Sequence, residues 1–249
     1  MSDTPAPSNA HPAGAPLPRI LEVRTRILKK NDESARDLRR EFAAAGVLVV
    51  NIVSSPGTGK TAFLEETLSR LRAAGTPAAA VVGDLETDLD ARRLARSGVP
   101  VRQINTHGLC HLEADMVRAH LAGWDLGHLH YLFIENVGNL VCPTSWDLGE
   151  AVRLALLSVT EGEDKPLKYP GLFNTADAAA LTKLDLAEPC GFDRAAALAN
   201  LDAVRPGITV FETSAKTGAG LDHWLAWLAD RRTRLLAGMP ASSTVEPAP

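Results

Sequence analysis

The chain has 249 residues, of which 45% are apolar, enough for one large α/β domain or two small ones. Its formal charge of −4 does not favour a protein that binds nucleic acid through its electrostatic field. No apolar run is long enough to span a membrane and no secretory signal pattern opens the chain, so we expect a cytoplasmic protein. Its three cysteines are then expected to be thiols and not a disulfide framework.

The composition changes near both ends of the chain. Residues 1–18 and 238–249 are rich in Pro, Ala and Ser and have almost no large apolar side chains. Such segments bury too little surface to offset the entropy cost of ordering, so the sequence predicts two disordered tails. Between them there is no internal repeat and no linker composition. Residues 19–237 are therefore predicted to form a single domain.

The segment NDESARDLRREFAAAG, residues 31–46, predicts an amphipathic helix ahead of the first strand. Asn31 or Asp32 is expected to cap its start, and Gly46 to end it. Its apolar stripe consists of Ala35, Leu38 and Phe42.

Apolar runs of strand length alternate with helical patterns along the rest of the chain. The run GVLVVNIVSS is continuously apolar, as is typical of a parallel strand buried on both faces, and the helical pattern after it ends at Gly75. The further runs are PAAAVVGD, VRQIN, YLFIEN, LALLSVT, AAALTKL and GITVFETS. This alternation predicts an α/β fold with a mostly parallel, doubly wound sheet, in which ligands bind at the carboxyl ends of the strands.

The segment SSPGTGKT lies between the first strand and a helix, which is the context that a P-loop requires. Ser54 stands where the full pattern has glycine. Lys60 is expected to neutralise the β- and γ-phosphates, and the Thr61 hydroxyl to ligate Mg²⁺. The residues whose N–H groups are predicted to point at the phosphates are Gly57, Thr58, Gly59, Lys60, Thr61 and Ala62. The fold is accordingly predicted to be a three-layer P-loop NTPase fold.

Two later segments indicate guanine as the base. LTKLDL, with Thr182, Lys183 and Asp185, resembles the guanine-specificity motif of GTPases, which usually has Asn where Thr182 stands. The Asp185 carboxylate would accept from the ring N–H and the amine of guanine, a pair of donors that adenine lacks. ETSAKTG resembles the loop that closes over guanine. Its predicted contacts are Ser214, Ala215 and Lys216.

The catalytic half of the predicted site is acidic. Glu135 ends the run YLFIE where the second P-loop strand normally ends in Asp, and Gly138 follows where a glycine that senses the γ-phosphate would lie. Asp84 ends VVGD and, with Glu135 and Thr61, is predicted to belong to the Mg²⁺ shell. No glutamine or arginine stands out as an accelerating group, so we expect slow intrinsic turnover.

Soft metal ligands follow two of the predicted strands. Cys110 and His111 stand side by side before a helix, and Cys142 follows the Glu135 strand. Thiolate and imidazole suit Ni²⁺, Zn²⁺ and Cu(I), although a buried cysteine also serves as a small apolar side chain. Three ligands leave a tetrahedral site one short, to be completed by water, a second subunit or a nearby histidine. The nearby histidines are His107 and His120, while Cys190 is isolated and is expected to be structural.

On these motifs the chain is identified as a member of the HypB family of hydrogenase maturation GTPases. The shared segments are NIVSSPGTGKT, VGDLETDLDA, CHLEADMV, IENVGNLVCP, EGEDKPLKYP and FETSAKTGAGLDHW. The resemblance implies a GTP-hydrolysing protein that helps deliver nickel to [NiFe]-hydrogenase and dimerises with GTP. It implies that Cys110, His111 and Cys142 are nickel or zinc ligands at the dimer interface. The implied partners are a HypA-type nickel metallochaperone and the hydrogenase large-subunit precursor.

The chain departs from the family pattern at three places. Thr182 replaces Asn, and His107 stands where glycine is common. The N-terminal region has no cysteine cluster and no histidine-rich tract, so no terminal nickel store is expected.

Three further classes of GTPase remain open. A urease-type nickel GTPase centres its metal site on Cys-Pro-x-His, whereas this chain has CPTS after Val141. A chaperone of cobalamin-dependent mutases needs no Cys/His set. A regulatory G protein would bind GTP and use its cysteines only as structural residues.

Overall fold

The computed structural model describes residues 19–84 and 89–238. The predicted tails, at 1–18 and 238–249, lie outside the described residues except for Gly238, which caps the last helix. Residues 85–88 of the VGDLETDLDA segment also lie outside them. The strands are β1 (Leu48–Val53), β2 (Ala78–Asp84), β3 (Val101–Asn105), β4 (Tyr131–Glu135), β5 (Val152–Ser158), β6 (Ala178–Thr182) and β7 (Thr209–Glu212). The α-helices are α1 (Arg19–Ala45), α2 (Lys60–Ala73), α3 (Leu89–Ala95), α4 (Ala114–Leu121), α5 (Lys165–Lys168), α6 (Pro170–Asn174), α7 (Arg194–Val204) and α8 (Leu221–Ala237). Single 3₁₀ turns cover Leu126–His128, Cys142–Ser145, Val159–Glu161 and Leu184–Leu186.

The strands of the described residues form one sheet in the order β3-β2-β4-β1-β5-β6-β7, and every neighbouring pair is parallel. Each strand that the sequence predicted is present. The register aligns the carboxyl ends of the central strands, because Glu135 of β4 lies opposite Ile52 of β1 and opposite Val82 of β2. The loops that leave β1, β4 and β2 therefore meet at one edge of the sheet.

Helices cover both faces of this sheet, which gives the three-layer α/β architecture that the sequence predicted. Side chains alternate along each strand, so that Val50 and Ile52 pack towards α2 and α8 while Val49 packs towards α1. On the second face α1 and α4 cover one half of the sheet, and α6 and α7 cover the other half.

The first helix is longer than the sequence predicted. It begins at Arg19, so the prediction that Asn31 or Asp32 caps its start is wrong. Asn31 is buried inside the helix, where its Nδ2 donates to the carbonyl of Asp147 at 2.8 Å and its Oδ1 accepts from the N–H of Ala114 at 2.9 Å. Because the amide is satisfied by distant partners, it caps α4 and leaves α1 uninterrupted. Although α1 has 27 residues, neither it nor any other helix of the described residues is apolar enough to cross a membrane.

Candidate functional site: a nucleotide cavity beside a cysteine and histidine cluster

The loop between β1 and α2 has the backbone conformation that phosphate binding needs. Gly57 and Gly59 have φ values of 76° and 102°, a region that residues with a Cβ rarely adopt. Ser54, which replaces the usual first glycine, does not have a positive φ, so its side chain fits there. Its hydroxyl accepts a hydrogen bond from Nζ of Lys60 at 3.0 Å. The serine thus positions the lysine.

Glu161 holds this loop in place through hydrogen bonds, and no sequence motif indicated this role. Its carboxylate accepts hydrogen bonds from the hydroxyls of Ser55 and Thr58, the latter at 3.1 and 3.2 Å to its two oxygens. It also accepts from the N–H of Ser158 at the end of β5. Glu161 opens the segment EGEDKPLKYP, one of the segments shared with the family.

A cavity of about 540 Å³ lies over the loop at the ends of β1, β4 and β2. It gathers all but one of the residues that the sequence predicted to hold phosphates and Mg²⁺, namely Gly57, Gly59, Lys60, Thr61, Ala62, Asp84 and Glu135. The exception is Thr58, which is buried and does not line the cavity. Gly138 also lines it, and a Cβ at that position would lie 3.0 Å from the backbone of Pro56. Asp90 and Arg93 of α3 line the same cavity and were missed. Their three-residue spacing places them on one helix face, but nothing in the sequence indicated that this face meets the cavity.

Glu135 is the most perturbed acid of the cavity. It is 2% exposed, and burial raises its pKa to about 7 against the opposing effects of the Thr61 hydrogen bond and of Lys60. Oε1 accepts the Thr61 hydroxyl at 2.7 Å, while Oε2 is buried with no hydrogen-bond partner among the described residues. Burial also lowers the pKa of Lys60. The oxygens of Thr61, Asp84 and Glu135 are the donor type that Mg²⁺ prefers, so these residues fit the ion.

A smaller cavity of about 190 Å³ lies on the other side of Gly59, at the ends of β6 and β7. Asp185 lines it, with Oδ1 accepting from the Ser214 hydroxyl at 2.6 Å and Oδ2 lying 3.9 Å from Nζ of Lys216. Ser214 therefore orients the carboxylate. The other predicted residues that line this cavity are Thr182, Lys183, Ala215 and Lys216.

Thr182 and Lys183 tie the base end of the site to the P-loop. The Thr182 hydroxyl donates to the carbonyl of Thr58 at 2.7 Å, and Nζ of Lys183 donates to the carbonyl of Gly57 at the same distance. Lys183 adopts a φ of 58°, which is unusual for a residue with a side chain and is a form of strain found at ligand sites. Thr182, at a position where Asn is more usual, thus holds the P-loop through this hydrogen bond.

The structure brings Cys110, His111 and Cys142 together. One ligand atom from each lies within 4.8 Å of the others, and all three residues are half-buried. Trp146 stacks on the His111 ring with centroids 4.1 Å apart and planes 21° apart. Burial lowers the pKa of His111, which favours the neutral imidazole that binds metals. The pKa of Cys142 is raised by its hydrogen bond with Cys110 and by burial. Two sulfurs and an imidazole form a soft donor set.

The remaining candidate ligands lie outside this cluster. His107 is exposed with a φ of 50°, which explains why glycine suits its position, and its N–H donates to the side chain of Asn105. Nδ1 of His120 lies 2.8 Å from the carbonyl of Met116, which occupies that nitrogen within α4. Cys190 is exposed and lies outside the cluster, and its structural role stays a prediction. All three cysteines are free thiols, as predicted.

A parallel, doubly wound sheet whose first strand leads through this glycine loop into a helix defines a P-loop nucleoside triphosphatase. The cysteine and histidine cluster adds to that class a set of side chains that could hold a metal ion. The family model for the CobW/HypB/UreG nucleotide-binding domain matches residues 48–212. The chain belongs to this family and, within it, to the HypB hydrogenase maturation factors.

Individual relatives support this assignment over most of the chain. The hydrogenase maturation factor HypB of Azotobacter vinelandii is 48% identical over 236 residues, covering 94% of this chain and 78% of the relative. HypB of Escherichia coli strain K12 is 46% identical over 225 residues, covering 90% and 77%. The crystal structure of HypB from Helicobacter pylori in complex with nickel has a TM-score of 0.77 at 38% identity, covering 82% of this chain and 96% of that one.

Proposed function

We propose that this protein is a GTP-hydrolysing metallochaperone that assists nickel insertion into [NiFe]-hydrogenase during maturation. The observation that carries the proposal is the cluster of Cys110, His111 and Cys142, whose ligand atoms lie within 4.8 Å of one another. One strand, β4, leads to both the nucleotide cavity and the cluster. Glu135 of the cavity ends this strand, and Cys142 of the cluster opens the next 3₁₀ turn. The nickel complex of the Helicobacter pylori relative supports nickel as the cargo, and zinc fits the same donor set.

The nucleotide in this proposal is GTP with Mg²⁺, and the product is GDP. Asp185 is held by Ser214 as an acceptor in the smaller cavity, which suits the donor edge of guanine. Lys60 is assigned to the β- and γ-phosphates, and Thr61, Asp84 and Glu135 to the magnesium ion. We propose that intrinsic turnover is slow and that the protein works as a switch.

A second copy of the chain is proposed to complete the metal site. In a twofold dimer formed with GTP, the clusters of the two copies would meet at the interface, so that ligands from both copies surround one shared ion. Leu109 and Val141, each next to a cysteine of the cluster, are exposed apolar side chains that a partner copy would bury. The metal site and the nucleotide site are proposed to belong to one G domain over residues 19–237, acting in the cytoplasm. A HypA-type metallochaperone and the hydrogenase large-subunit precursor are the proposed partners.

Nickel titration of the purified chain, with and without a non-hydrolysable GTP analogue, tests the proposal. The mass in solution is followed in the same samples, and Cys142→Ala is the control variant. We expect about one nickel ion per dimer, an affinity that changes with nucleotide, and loss of binding in the control. Nickel binding that depends on neither the nucleotide nor Cys142 would contradict the proposal and favour a regulatory G protein with ordinary thiols.

A further inference from the structure

Two charged side chains of the phosphate cavity, Asp90 and Arg93, have no role in the proposed function. Within the described residues the acids that line this cavity are Asp84, Asp90 and Glu135, and the cations are Lys60, Arg93 and Lys183. Lys60 is bound to the loop and Lys183 reaches the loop from the base end. Arg93 is the remaining cation, and it comes from α3, none of whose residues has a role in the proposed function.

The order of the strands places Arg93 at the end of the cavity farthest from the base. Ligands in this fold lie along the carboxyl edge of the sheet, and here the base cavity is at β6 and β7. The phosphate loop follows β1, and the next strands in that direction are β4 and β2. Arg93 lies on the helix that follows β2, and it lines the phosphate cavity but not the base cavity. A nucleotide laid from base to phosphates therefore points its terminal phosphate towards Arg93.

The guanidinium of Arg93 is held by the P-loop helix. Its Nε donates to Oε2 of Glu65 in α2 at 2.6 Å, and its side chain is 43% exposed. The hydrogen bond from Nε to Glu65 fixes the orientation of the guanidinium plane. The two terminal nitrogens of the guanidinium carry the donors that recognise phosphate. Burial raises the pKa of Glu135, and the charge of Arg93, which lines the same cavity, opposes that shift.

We infer that Arg93 contacts the terminal phosphate of bound GTP and is a catalytic residue for its hydrolysis. This inference rests on the proposed function and names a residue that it leaves out. The oxygen of water forms a bond to the γ-phosphorus while the bond from that phosphorus to the β–γ bridging oxygen breaks. GDP leaves with the bridging oxygen, and the protons of water remain with the released phosphate. Negative charge develops on the bridging and γ-phosphate oxygens, where the fixed donors of Arg93 stabilise it without losing a proton.

A purely structural role gives different expectations. In that case the ion pair between Arg93 and Glu65 serves to join α3 to α2, and removal of either partner has the same effect. A catalytic role makes the two variants unequal, because only the arginine meets the phosphate. A catalytic role also predicts that loss of Arg93 lowers the rate of hydrolysis without weakening GDP binding, because GDP lacks the phosphate that Arg93 contacts.

The experiment compares the full-length protein with Arg93→Ala, Arg93→Lys, Glu65→Gln and the control Arg96→Ala. Arg96 is exposed just beyond α3 and does not line the cavity. Phosphate release from GTP is measured with Mg²⁺, together with the affinity for GDP, the melting temperature, and binding of GDP with aluminium fluoride as a mimic of the transition state. We expect Arg93→Ala to lower kcat at least about tenfold and to lose the aluminium fluoride complex, with GDP affinity and melting temperature unchanged.

We expect Arg93→Lys to recover only part of the rate, because an ammonium group does not offer the paired donors of guanidinium. Arg96→Ala should hydrolyse GTP within about threefold of the wild type. Glu65→Gln should lose less of the rate than Arg93→Ala, because the glutamine oxygen can still accept from Nε of Arg93. Equal rates for Arg93→Ala and the wild type would overturn the inference alone. Matching losses of rate and GDP affinity in Arg93→Ala and Glu65→Gln would also overturn it, in favour of the structural role. A wild-type protein that releases no phosphate would contradict the proposed function itself.

Discussion

Oδ1 of Asn136 accepts a hydrogen bond from the backbone N–H of Leu112 at 3.3 Å. Asn136 directly follows Glu135, which lines the nucleotide cavity, and Leu112 directly follows His111 of the metal cluster. The same oxygen accepts from the N–H of Val137 at 2.9 Å. The buried Asn136 side chain therefore joins the backbone of the proposed metal site to the end of β4, which borders the nucleotide cavity.

A second hydrogen-bonded route leaves the same amide. Nδ2 of Asn136 donates to Asn51 at 3.3 Å, and Asn51 donates to the buried carboxylate of Glu150 at 3.1 Å. Arg153 donates to Glu150 at 2.7 Å and to the carbonyl of Trp146 at 2.9 Å, and Trp146 stacks on His111. Both routes thus end at His111. A movement of the Glu135 strand end on loss of the γ-phosphate would act on the metal ligands through Asn136.

Replacement of Asn136 by alanine should uncouple the two sites. The change leaves the Leu112 and Val137 N–H groups without their acceptor, so we expect the free energy of unfolding to fall by about 1–3 kcal/mol. We also expect the difference in nickel affinity between the GTP-analogue and GDP forms to shrink towards zero. Nickel titration in each nucleotide state measures this. Asn200→Ala is the control, because its amide holds the carbonyl of Glu163 far from both sites. An undiminished nucleotide effect in Asn136→Ala would count against the coupling route.

Glu135 should make the stability of the magnesium-free, nucleotide-free protein fall as the pH rises. Its pKa is raised from 4.5 to about 7 in the folded chain, mainly by burial. Between these values the folded state holds a proton that the unfolded state has released. The contribution of Glu135 to the free energy of unfolding is therefore largest below pH 4.5, declines as the pH rises, and levels off above about 7, with a total change of about 3 kcal/mol.

Urea unfolding at several values between pH 5 and 8 tests this expectation. The quantity to compare is the free energy of unfolding of the wild type minus that of Glu135→Gln, because the glutamine does not titrate and the other groups cancel. A difference that stays constant over this range would show that burial does not raise the pKa of Glu135.

The parts of the molecule that were predicted from the sequence are those in which the signal is local. The β1 run is apolar except for Asn51 because the strand is buried on both faces, and the loop that follows needs glycines at 57 and 59 for their positive φ values. The parts that were missed depend on partners distant in the chain. Asn31 resembles a helix cap until Asp147 and Ala114 are found beside it.

The same reasoning divides the residues of the site. Lys60 and Thr61 stand at fixed offsets in one short motif, and the thiols of Cys110 and Cys142 attract notice by their chemistry alone. Glu161 supports the phosphate loop from more than 100 positions away in the chain, as the separation of 103 from Thr58 shows. Neither composition nor spacing encodes such a contact. Asp90 and Arg93 are intermediate between a local motif and a distant contact. The sequence shows that they share one helix face, but not that this face lines the phosphate cavity.

Replacement of Asp185 by asparagine should change the base preference. The carboxylate accepts two hydrogen bonds from guanine in the proposed site, whereas an amide offers one acceptor and one donor. We expect GTP affinity to fall at least about 100-fold and affinity for xanthosine triphosphate to rise, because xanthine has a carbonyl where guanine has the amine. Competition against a fluorescent GDP measures both. Asp230→Asn, which alters an exposed carboxylate of α8 paired with Arg234, is the matched control. Unchanged GTP affinity in Asp185→Asn would place the base elsewhere.

Trp146 should tune the metal site although it donates no ligand atom. Its ring covers one face of the His111 imidazole at 4.1 Å, and its carbonyl is held by Arg153. The contact fixes the orientation of the imidazole, so its loss costs part of the preorganisation of the site. Supporting contacts of this kind are typically worth 10- to 100-fold in metal affinity. We therefore expect Trp146→Ala to weaken nickel binding by about tenfold, while Cys142→Ala abolishes it.

Two comparisons make the Trp146 experiment specific. Trp124→Ala removes an equally half-buried tryptophan that packs under Arg102 and lies outside the metal cluster, so its nickel affinity should match the wild type. Trp146→Phe keeps an aromatic face against the imidazole and should restore most of the affinity. The nickel-to-thiolate absorbance reports the ligand set at the same time, and it should retain its shape in Trp146→Ala because the sulfurs remain. If Trp146→Ala binds nickel as tightly as the wild type, the stacking does not position His111.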